Sequence, residues 1–244
     1  MTEFASKRYW LVGASEGLGA ALARRLSAEG AELILSARNR DRLAALARDL
    51  PGRARVVPVD VRDDDSVARA TAEAGDVDGI VYLAGVYWPM SAASWNPDHG
   101  VAMADVNLTG AMRVLGRVVP SMVARGAGHV VLTGSLSGFR GLPGAVGYGA
   151  SKAAVMSLAQ TLRADLWRTG VRVQLANPGF IRTRLTAKND FHMPFLMTPE
   201  RAADEMMVLM RDEAAFDRHF PWAFGLVFRL SRVLPNWIYY RLFA

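Results

Sequence analysis

The sequence predicts one α/β domain in which a doubly wound parallel β-sheet lies between two layers of helices, a three-layer α/β/α arrangement. Short apolar runs alternate with longer helical patterns along the chain, which is the order typical of such a sheet. The length of 244 residues, of which 51% are hydrophobic, suits one hydrophobic core. No segment repeats or is low in complexity, so residues 1–244 are expected to form a single domain.

The individual elements follow from periodicity and from helix stop signals. Apolar runs predict strands near residues 9–12, 32–37, 55–59, 79–83, 130–133 and 172–176. Helical patterns lie between them, near residues 17–29, 40–50, 63–74, 97–125, 148–168 and 199–212. Residues 181–198 show no period and contain many apolar side chains, which predicts a long loop and a candidate lid over a substrate.

Composition narrows the class of protein. The net charge of +6 comes from arginines dispersed along the chain, so no basic stripe indicates a nucleic-acid partner. The absence of cysteine excludes disulfides and thiolate chemistry, and no group of side chains predicts a metal site. The first residues lack a signal-peptide pattern, and no apolar run reaches the length of about 18 residues that a membrane span needs. We therefore expect a cytoplasmic protein.

A glycine-rich turn connects the first strand to the first helix in "VGASEGLGAAL". Gly13, Gly17 and Gly19 permit close approach of the backbone, and the start of the helix offers free N–H groups to a pyrophosphate. The turn therefore predicts a dinucleotide site, because it follows the first strand of an alternating β/α pattern. A tight strand-to-helix connection without a ligand is the alternative.

The end of the second strand indicates which dinucleotide is bound. An NAD site would be expected to place a carboxylate here, but the sequence reads "LSARN" and offers Arg38 instead. A guanidinium suits a 2′-phosphate, so NADP is predicted and NAD is less favoured. The alternative for Arg38 is a solvated charge at the start of the next helix. Asp60 is a candidate to accept from the adenine amino group, or to cap the helix that starts near Asp63.

The segment "GYGASKAAV" places Tyr148 and Lys152 four residues apart, on one face of a predicted helix. Only three of the 29 lysine and arginine residues are lysines, at positions 7, 152 and 188. Lysine is a compact point charge whose pKa shifts on burial, which arginine does not offer. The pair is therefore a candidate reactive site, although a solvated lysine at a helix start is the simpler interpretation.

Further motifs accompany this pair. Ser135 lies thirteen residues before Tyr148 in "LTGSLSG", and Asn107 lies in "VNLTG" within the long predicted helix. Together with "GASEGLG", "YGASK" and "NPGFIRT", in this order and spacing, they make the chain resemble the short-chain dehydrogenase/reductase family over roughly residues 7–200. The resemblance implies a Rossmann-type fold, a nicotinamide dinucleotide and an enzyme that interconverts carbonyls and alcohols.

The resemblance also implies catalytic roles for four residues. Tyr148 would give a proton to the carbonyl oxygen, and Lys152 would lower the pKa of this phenol from about 10 and bind the nicotinamide ribose. Ser135 would hydrogen-bond the carbonyl oxygen. Asn107 would hold a water molecule in a proton relay to Lys152, whereas a hydrogen bond within the helix region is the commoner use of such an asparagine.

The cofactor-binding positions implied by the turn, the strand ends and the resemblance share the predicted carboxyl edge of the sheet. Pro178 and Gly179 are expected to turn the chain after the sixth strand, and Ile181 and Thr183 to meet the nicotinamide amide and the phosphates. The complete set is Gly13, Ser15, Gly17, Leu18, Gly19, Arg38, Asp60, Val61, Ala84, Gly85, Tyr148, Lys152, Pro178, Gly179, Ile181 and Thr183.

The sequence departs from the family pattern at three places. Leu83 replaces the asparagine of an Asn-Ala-Gly segment, and Val12 replaces a common threonine at the glycine turn. Residues 218–244 form an atypical C-terminal extension of apolar and aromatic residues with interspersed arginines. Three interpretations of this extension compete: a helix packed on the domain or between subunits, a wall of the substrate pocket, or an amphipathic segment on an anionic membrane, which is the least favoured.

The side chains expected near the substrate are almost all apolar, which favours a lipophilic ketone, aldehyde or secondary alcohol. They are Tyr87, Trp88, Met90, Leu136, Phe139, Phe180, Leu185, Phe191, Met193 and Phe195. Two alternatives stay open: reduction of a 3-oxoacyl group on a carrier protein, and a dinucleotide-binding sensor without catalysis. By resemblance, the chain is expected to form a homodimer or homotetramer.

Overall fold

The computed structural model describes residues 3–243, which contain one seven-stranded sheet. The strands are β1 (Arg8–Val12), β2 (Glu32–Ser36), β3 (Ala54–Val56), β4 (Gly79–Tyr82), β5 (Gly128–Thr133), β6 (Val171–Pro178) and β7 (Asp217–Phe220). All neighbouring strands are parallel, in the order β3-β2-β1-β4-β5-β6-β7. This order reverses direction beside β1, so the strand ends form a crevice there that suits a ligand.

Helices cover both faces of the sheet within the described residues. They are α1 (Gly17–Ala28), α2 (Arg40–Asp49), α3 (Asp64–Ala74), α4 (Pro97–Ala104), α5 (Gly110–Arg125), α6 (Val146–Asp165), α7 (Pro199–Arg211), α8 (Trp222–Ser231) and α9 (Asn236–Phe243). One core packs side chains of α1, α2 and α7 against the sheet, and a second core packs those of α3, α5 and α6 against the other face. The predicted three-layer fold is confirmed.

The seventh strand is absent from the prediction. Its residues, "DRHF", contain three polar side chains and form no apolar run. β7 is an edge strand that pairs only with β6, so its side chains need not be apolar on both faces. This pairing also corrects the expectation that Pro178 turns the chain after the sixth strand. Pro178 is the last residue of β6 and lies opposite Phe220, and the N–H of Gly179 donates to the Phe220 carbonyl at 2.8 Å.

The predicted helix 97–125 is divided into three parts. A π-helical stretch, Asp105–Thr109, separates α4 from α5. Such stretches often occur at functional sites, and this one contains Asn107. The apolar pattern did not reveal it because the chain stays helical on both sides.

The C-terminal extension forms two short helices, α8 and α9, after β7. Phe228 and Tyr239 are buried, which confirms packing on the domain for one side of this extension. Across residues 3–243, no helix has the length and apolarity to cross a membrane.

A network of buried polar side chains connects β1, β5 and β6. The Tyr9 hydroxyl lies 2.8 Å from His129 Nδ1, and His129 Nε2 lies 2.8 Å from Gln174 Oε1. Because Oε1 can only accept, His129 carries its proton on Nε2. Gln174 Nε2 in turn donates to the carbonyls of Leu209, Asp212 and Ala215. Burial and the nearby Arg172 lower the pKa of His129 to about 3.

This network predicts that the protein loses stability in mild acid. His129 stays neutral in the fold but gains a proton on unfolding once the pH falls below its ordinary pKa of about 6.5, so the free energy of unfolding should fall by up to about 1.4 kcal/mol per pH unit from there toward pH 3. Urea unfolding at pH 7.5 and 5.5 measures this. The variant His129→Gln should respond less to pH in this window, and an equal response would contradict the assignment.

Candidate active site

The predicted site residues converge at the carboxyl edge of the sheet. Gly13 follows β1, Ala84 and Gly85 follow β4, and Ser135 follows β5. Since carboxyl ends of parallel strands lie along one edge, residues far apart in the sequence meet there. Tyr148 reaches the same edge from the first turn of α6.

The glycine turn has the shape that a pyrophosphate needs. Gly13 adopts a φ of 102°, and a side chain there would place its Cβ 2.5 Å from the Ala84 nitrogen. A Cβ on Gly19 would lie 2.1 Å from the Gly13 carbonyl oxygen, so only glycine lets α1 begin this close to β1. Glu16, at the N-terminus of α1, makes no side-chain capping bond. The first N–H groups of α1 are therefore available to an anion, and the residues present fit a dinucleotide.

Two more predicted residues of the turn occupy distinct environments. Ser15 is half-buried, and Leu18 packs against the core that contains α1. Gly17 adopts a φ of 54°, and its Cβ would lie 2.9 Å from the methyl group of Thr183. The structure thus brings Thr183 against the glycine turn, and its contact with a bound dinucleotide stays a prediction.

Arg38 follows β2 and is exposed. The Ser36 hydroxyl already has two hydrogen-bond partners within the protein, because it accepts from Trp10 Nε1 at 2.8 Å and donates to the Val57 carbonyl. Asn39 is occupied as well, because its side chain caps α2. Arg38 is exposed and contributes to the lowered pKa of Asp60, which places its charge near that carboxylate.

Asp60 pairs with Arg62, its contact with adenine stays a prediction, and the alternative of a helix cap is wrong. Its carboxylate already accepts from the Arg62 side chain at 2.7 and 3.1 Å and from the Arg62 backbone at 3.0 Å, which lowers its pKa. It does not cap the next helix, because Asp63 does so. Val61 is buried against Gly110, so its side chain is turned away from a ligand and only its backbone could bind one.

Ser135 and Tyr148 bring two hydroxyl groups together. Ser135 Oγ accepts from the backbone N–H of Ser137 at 3.2 Å and from the Ser137 hydroxyl at 3.0 Å. Its own proton is therefore free for Tyr148 or for a substrate oxygen. Burial raises the pKa of Tyr148 to about 12, although its hydrogen bond with Ser135 opposes the shift. Tyr148 thus keeps its proton at neutral pH.

Lys152 lies one turn further along α6 and is buried. Its Nζ donates to the Thr133 carbonyl at 2.8 Å and lies 5.7 Å from the centre of the Tyr148 ring. Burial lowers the pKa of Lys152 to about 8. Desolvation of the phenol is the largest cause of the raised pKa of Tyr148, and the effect of Lys152 on this pKa stays a prediction.

Asn107 is fully buried in the π-helical stretch. Its side chain accepts from the N–H of Val86 at 2.8 Å and donates to the Val86 carbonyl at 3.1 Å and to Ser151 Oγ at 3.0 Å. Ser151 Oγ donates to the Tyr148 carbonyl at 2.8 Å. Asn107 therefore connects the segment after β4 to the helix of Tyr148, and its role in a water relay stays a prediction. A Cβ on Gly85 would lie 3.4 Å from Asn107 Oδ1, so glycine leaves this corner open.

The loop 181–198 is closed at its base and attached to the segment after β4. Ile181 and Met197 form a parallel bridge. Lys188 Nζ donates to the Tyr87 carbonyl at 2.7 Å, and the Tyr87 hydroxyl donates to Asn189 Oδ1 at 2.8 Å. The Tyr87 ring in turn packs edge-on against Tyr148, with 4.9 Å between the ring centres. The loop is thus connected to the Tyr148 ring through Tyr87.

The C-terminal extension packs beside the loop 181–198 and forms a second wall next to the candidate site. A wall of the substrate pocket was one of the three interpretations of this extension. Phe224 of α8 packs against Phe180 and Phe195, with ring centres 6.1 and 5.4 Å apart. Arg140 lies between Ser135 and Tyr148 in the chain and donates to the carbonyls of Ser231 and Leu234 at the end of α8. Nothing in the sequence marked Arg140, because it is one arginine among many. Lys188, in contrast, was marked by the rarity of lysine.

Comparisons with known proteins show which family this chain resembles. A model of the short chain dehydrogenase family matches residues 7–193. An "Uncharacterized oxidoreductase" of Myxococcus xanthus is 40% identical over 247 aligned residues, which cover 97% of this chain and 96% of the relative. A solved short chain dehydrogenase/reductase family protein superimposes with a TM-score of 0.84 at 32% identity, over 89% of this chain and 97% of its own.

A further solved structure that is similar to this chain contains 5-hydroxy-NADP. An alcohol dehydrogenase from Thermococcus sibiricus, complexed with 5-hydroxy-NADP, superimposes with a TM-score of 0.79 at 26% identity, over 88% of this chain and 96% of its own. The family match covers more than half of the chain, and the Myxococcus relative covers nearly all of it. The chain therefore belongs to the short-chain dehydrogenase/reductase family of NAD(P)-binding oxidoreductases.

Proposed function

We propose that this protein uses NADPH to reduce a lipophilic ketone or aldehyde, or catalyses the reverse oxidation of a secondary or primary alcohol. The observation that carries the proposal is the meeting of the Ser135 and Tyr148 hydroxyls with the buried Lys152, beside the open glycine turn. Two hydroxyl donors aimed at one point suit an oxygen on which negative charge develops. A protein that only bound a dinucleotide would need neither hydroxyl.

Each of the three side chains has a defined task in reduction. When bound, the dinucleotide supplies the hydride that the carbonyl carbon receives. Ser135 donates a hydrogen bond to the carbonyl oxygen and holds it within reach of Tyr148. Tyr148, whose raised pKa keeps it protonated, transfers its proton to that oxygen, so the alcohol forms and a phenolate remains.

Lys152 supports the phenolate. Its ammonium lies in the same buried pocket, where a positive charge interacts more strongly with an anion than it would in water. The burial-lowered pKa of about 8 means that Lys152 is charged at neutral pH and loses its charge above that value. The proposal thus assigns Tyr148 to proton transfer and Lys152 to charge stabilisation.

The proposed preference for NADPH depends on Arg38. With Ser36 and Asn39 occupied, the Arg38 guanidinium is the side chain at this strand end that can pair with a 2′-phosphate. Arg38→Asp should lower the ratio of kcat/KM for NADPH over NADH by about 10- to 100-fold, because a charge-assisted bond is replaced by repulsion. Initial rates with both cofactors measure this ratio. Arg40→Asp, a matched change two residues away at the start of α2, should leave the ratio nearly unchanged.

The apolar walls support a lipophilic substrate. Leu136 is buried beside Ser135, Tyr87 packs on Tyr148, and Phe180 lies between the loop 181–198 and α8. Such a lining orients a ligand through few polar contacts and excludes water from the reacting oxygen. We propose on this basis that the loop acts as a substrate lid.

The test is NADPH oxidation across a panel of carbonyl compounds. We expect turnover of medium-chain and aromatic ketones or aldehydes, and little turnover of sugars or short oxo acids. Preferential turnover of 3-oxoacyl thioesters would instead favour reduction of a carrier-bound acyl group. If NADPH binds tightly but no compound is reduced and no alcohol is oxidised, the dinucleotide-binding sensor replaces the enzyme.

A further inference from the structure

The two helices after β7 leave several large apolar side chains exposed. On α8, Trp222, Leu226 and Leu230 are four residues apart, so they share one helical face, and all three are exposed. Val233, Trp237 and Tyr240 are exposed in the following loop and in α9. Trp222, Val233 and Trp237 keep 69%, 79% and 73% of their surface accessible. We refer to these six residues as the tail face.

Hydrogen bonds with residues 140 and 141 fix the inner side of the two helices, which keeps the tail face outward. Arg140 binds the carbonyls of Ser231 and Leu234 and, at 2.6 Å, the side chain of Asn236. The Tyr239 hydroxyl donates to the Gly141 carbonyl at 2.5 Å, and the Arg140 guanidinium stacks on the Tyr239 ring at 4.0 Å. Because both helices are anchored to the same segment, their apolar outer side cannot turn inward without breaking these bonds.

The charges around the tail face have one sign. Between positions 218 and 244 the sequence contains no aspartate or glutamate. Arg229, Arg232 and Arg241 are exposed, and none of the ion pairs found in residues 3–243 involves them. Arg241 lies four residues after Trp237, so the two share a helical face. An occupant of this surface must therefore accept apolar side chains and supply negative charge.

A second copy of the chain does not meet this requirement. A symmetric pair would place the same face against itself, so its arginines would approach one another with no carboxylate from this segment between them. An anionic lipid surface does meet it, because tryptophan and tyrosine favour the region between headgroups and acyl chains, and arginines bind lipid phosphates. The helices are too short to span a bilayer, so they would lie on it.

We propose that the tail face binds the surface of membranes that contain anionic lipids. The apolar side chains enter the boundary between headgroups and acyl chains, and Arg229, Arg232 and Arg241 contact the phosphates. The inference concerns location and does not depend on the proposed reaction.

Sedimentation with lipid vesicles tests the proposal on the full chain. We expect the protein to pellet with vesicles of phosphatidylcholine mixed with phosphatidylglycerol, to stay in solution with phosphatidylcholine alone, and to dissociate when salt is raised. Two double variants should each lower the bound fraction by about tenfold: Trp222→Ala with Trp237→Ala, and Arg232→Glu with Arg241→Glu.

Matched controls show whether vesicle binding depends on the tail face or on any exposed tryptophan or arginine. Trp95→Ala with Trp167→Ala removes two exposed tryptophans elsewhere, and Arg48→Glu with Arg69→Glu reverses two exposed charges on α2 and α3. Both controls should bind vesicles like the wild type, and all variants should unfold at wild-type temperature. Absence of vesicle binding by the wild type, or equal losses in variants and controls, would overturn the proposal. So would a dimer, measured by analytical ultracentrifugation, that only the tail-face variants dissociate.

Discussion

Replacing Tyr148 by phenylalanine should reduce kcat by about 10³-fold or more, with little change in NADPH affinity. The change removes the hydroxyl that lies beside Ser135 and that we propose gives a proton to the carbonyl oxygen. The aromatic ring remains, so its edge-on packing with Tyr87 and the start of α6 are preserved. Turnover of the best carbonyl in the panel and fluorescence titration with NADPH measure the two effects separately.

Tyr87→Phe is the informative comparison for this variant. It removes a neighbouring hydroxyl whose partner is Asn189 in the loop 181–198, and it leaves the ring in place. We expect a loss in kcat of less than about tenfold, because that hydroxyl only positions the loop. If both variants lost activity equally, or if Tyr148→Phe kept more than a tenth of the wild-type rate, Tyr148 would not be the proton donor.

Lys152→Arg should lower kcat by about 100-fold even though the positive charge is kept. The buried site holds Nζ at 2.8 Å from the Thr133 carbonyl, and a planar guanidinium needs more room and more acceptors than this pocket provides. Lys7→Arg, a change of the same type at an exposed position near the N-terminus, should have no effect on rate. Thermal unfolding of both variants shows whether the fold is retained.

The pH profile gives Lys152 a second readout. Because burial lowers its pKa to about 8, the ammonium is present below pH 8 and is lost above it, so kcat/KM for reduction should fall on the alkaline side with an apparent pKa near 8. Tyr148 does not produce this fall, since its pKa is about 12. In Lys152→Arg the residual activity should lose this alkaline limb, because guanidinium does not titrate there. If kcat/KM of Lys152→Arg still fell with an apparent pKa near 8, another titrating group would cause the alkaline fall.

The features that depend on local physics could be predicted from the sequence. The glycine turn, the pair Tyr148 and Lys152, and the apolar strands are each visible in short windows, because backbone geometry or helix spacing requires particular residue types there. The parallel sheet followed from the alternation of strands and helices, and the structure confirms it.

The remaining features depend on contacts between distant segments. Lys152 was predicted to act on the pKa of Tyr148, but the balance of burial and charge that sets this pKa exists only in the folded pocket. The occupation of the Asp60 carboxylate by Arg62 depends on side-chain conformation, which spacing alone does not predict. β7 was missed because an edge strand of polar residues carries no apolar run.

The bonds of Arg140 have a consequence for how substrate range can change during evolution. Arg140 binds the backbone carbonyls of Ser231 and Leu234 and the side chain of Asn236, and it belongs to the segment between Ser135 and Tyr148. A substitution of Asn236, or a change in the path of the backbone after α8, therefore alters the support of that segment from outside the pocket. Variation in the C-terminal extension can then change the segment before Tyr148 while the hydroxyls of Ser135 and Tyr148 stay the same. A selection for altered substrate use should recover changes there as readily as among the residues that line the pocket.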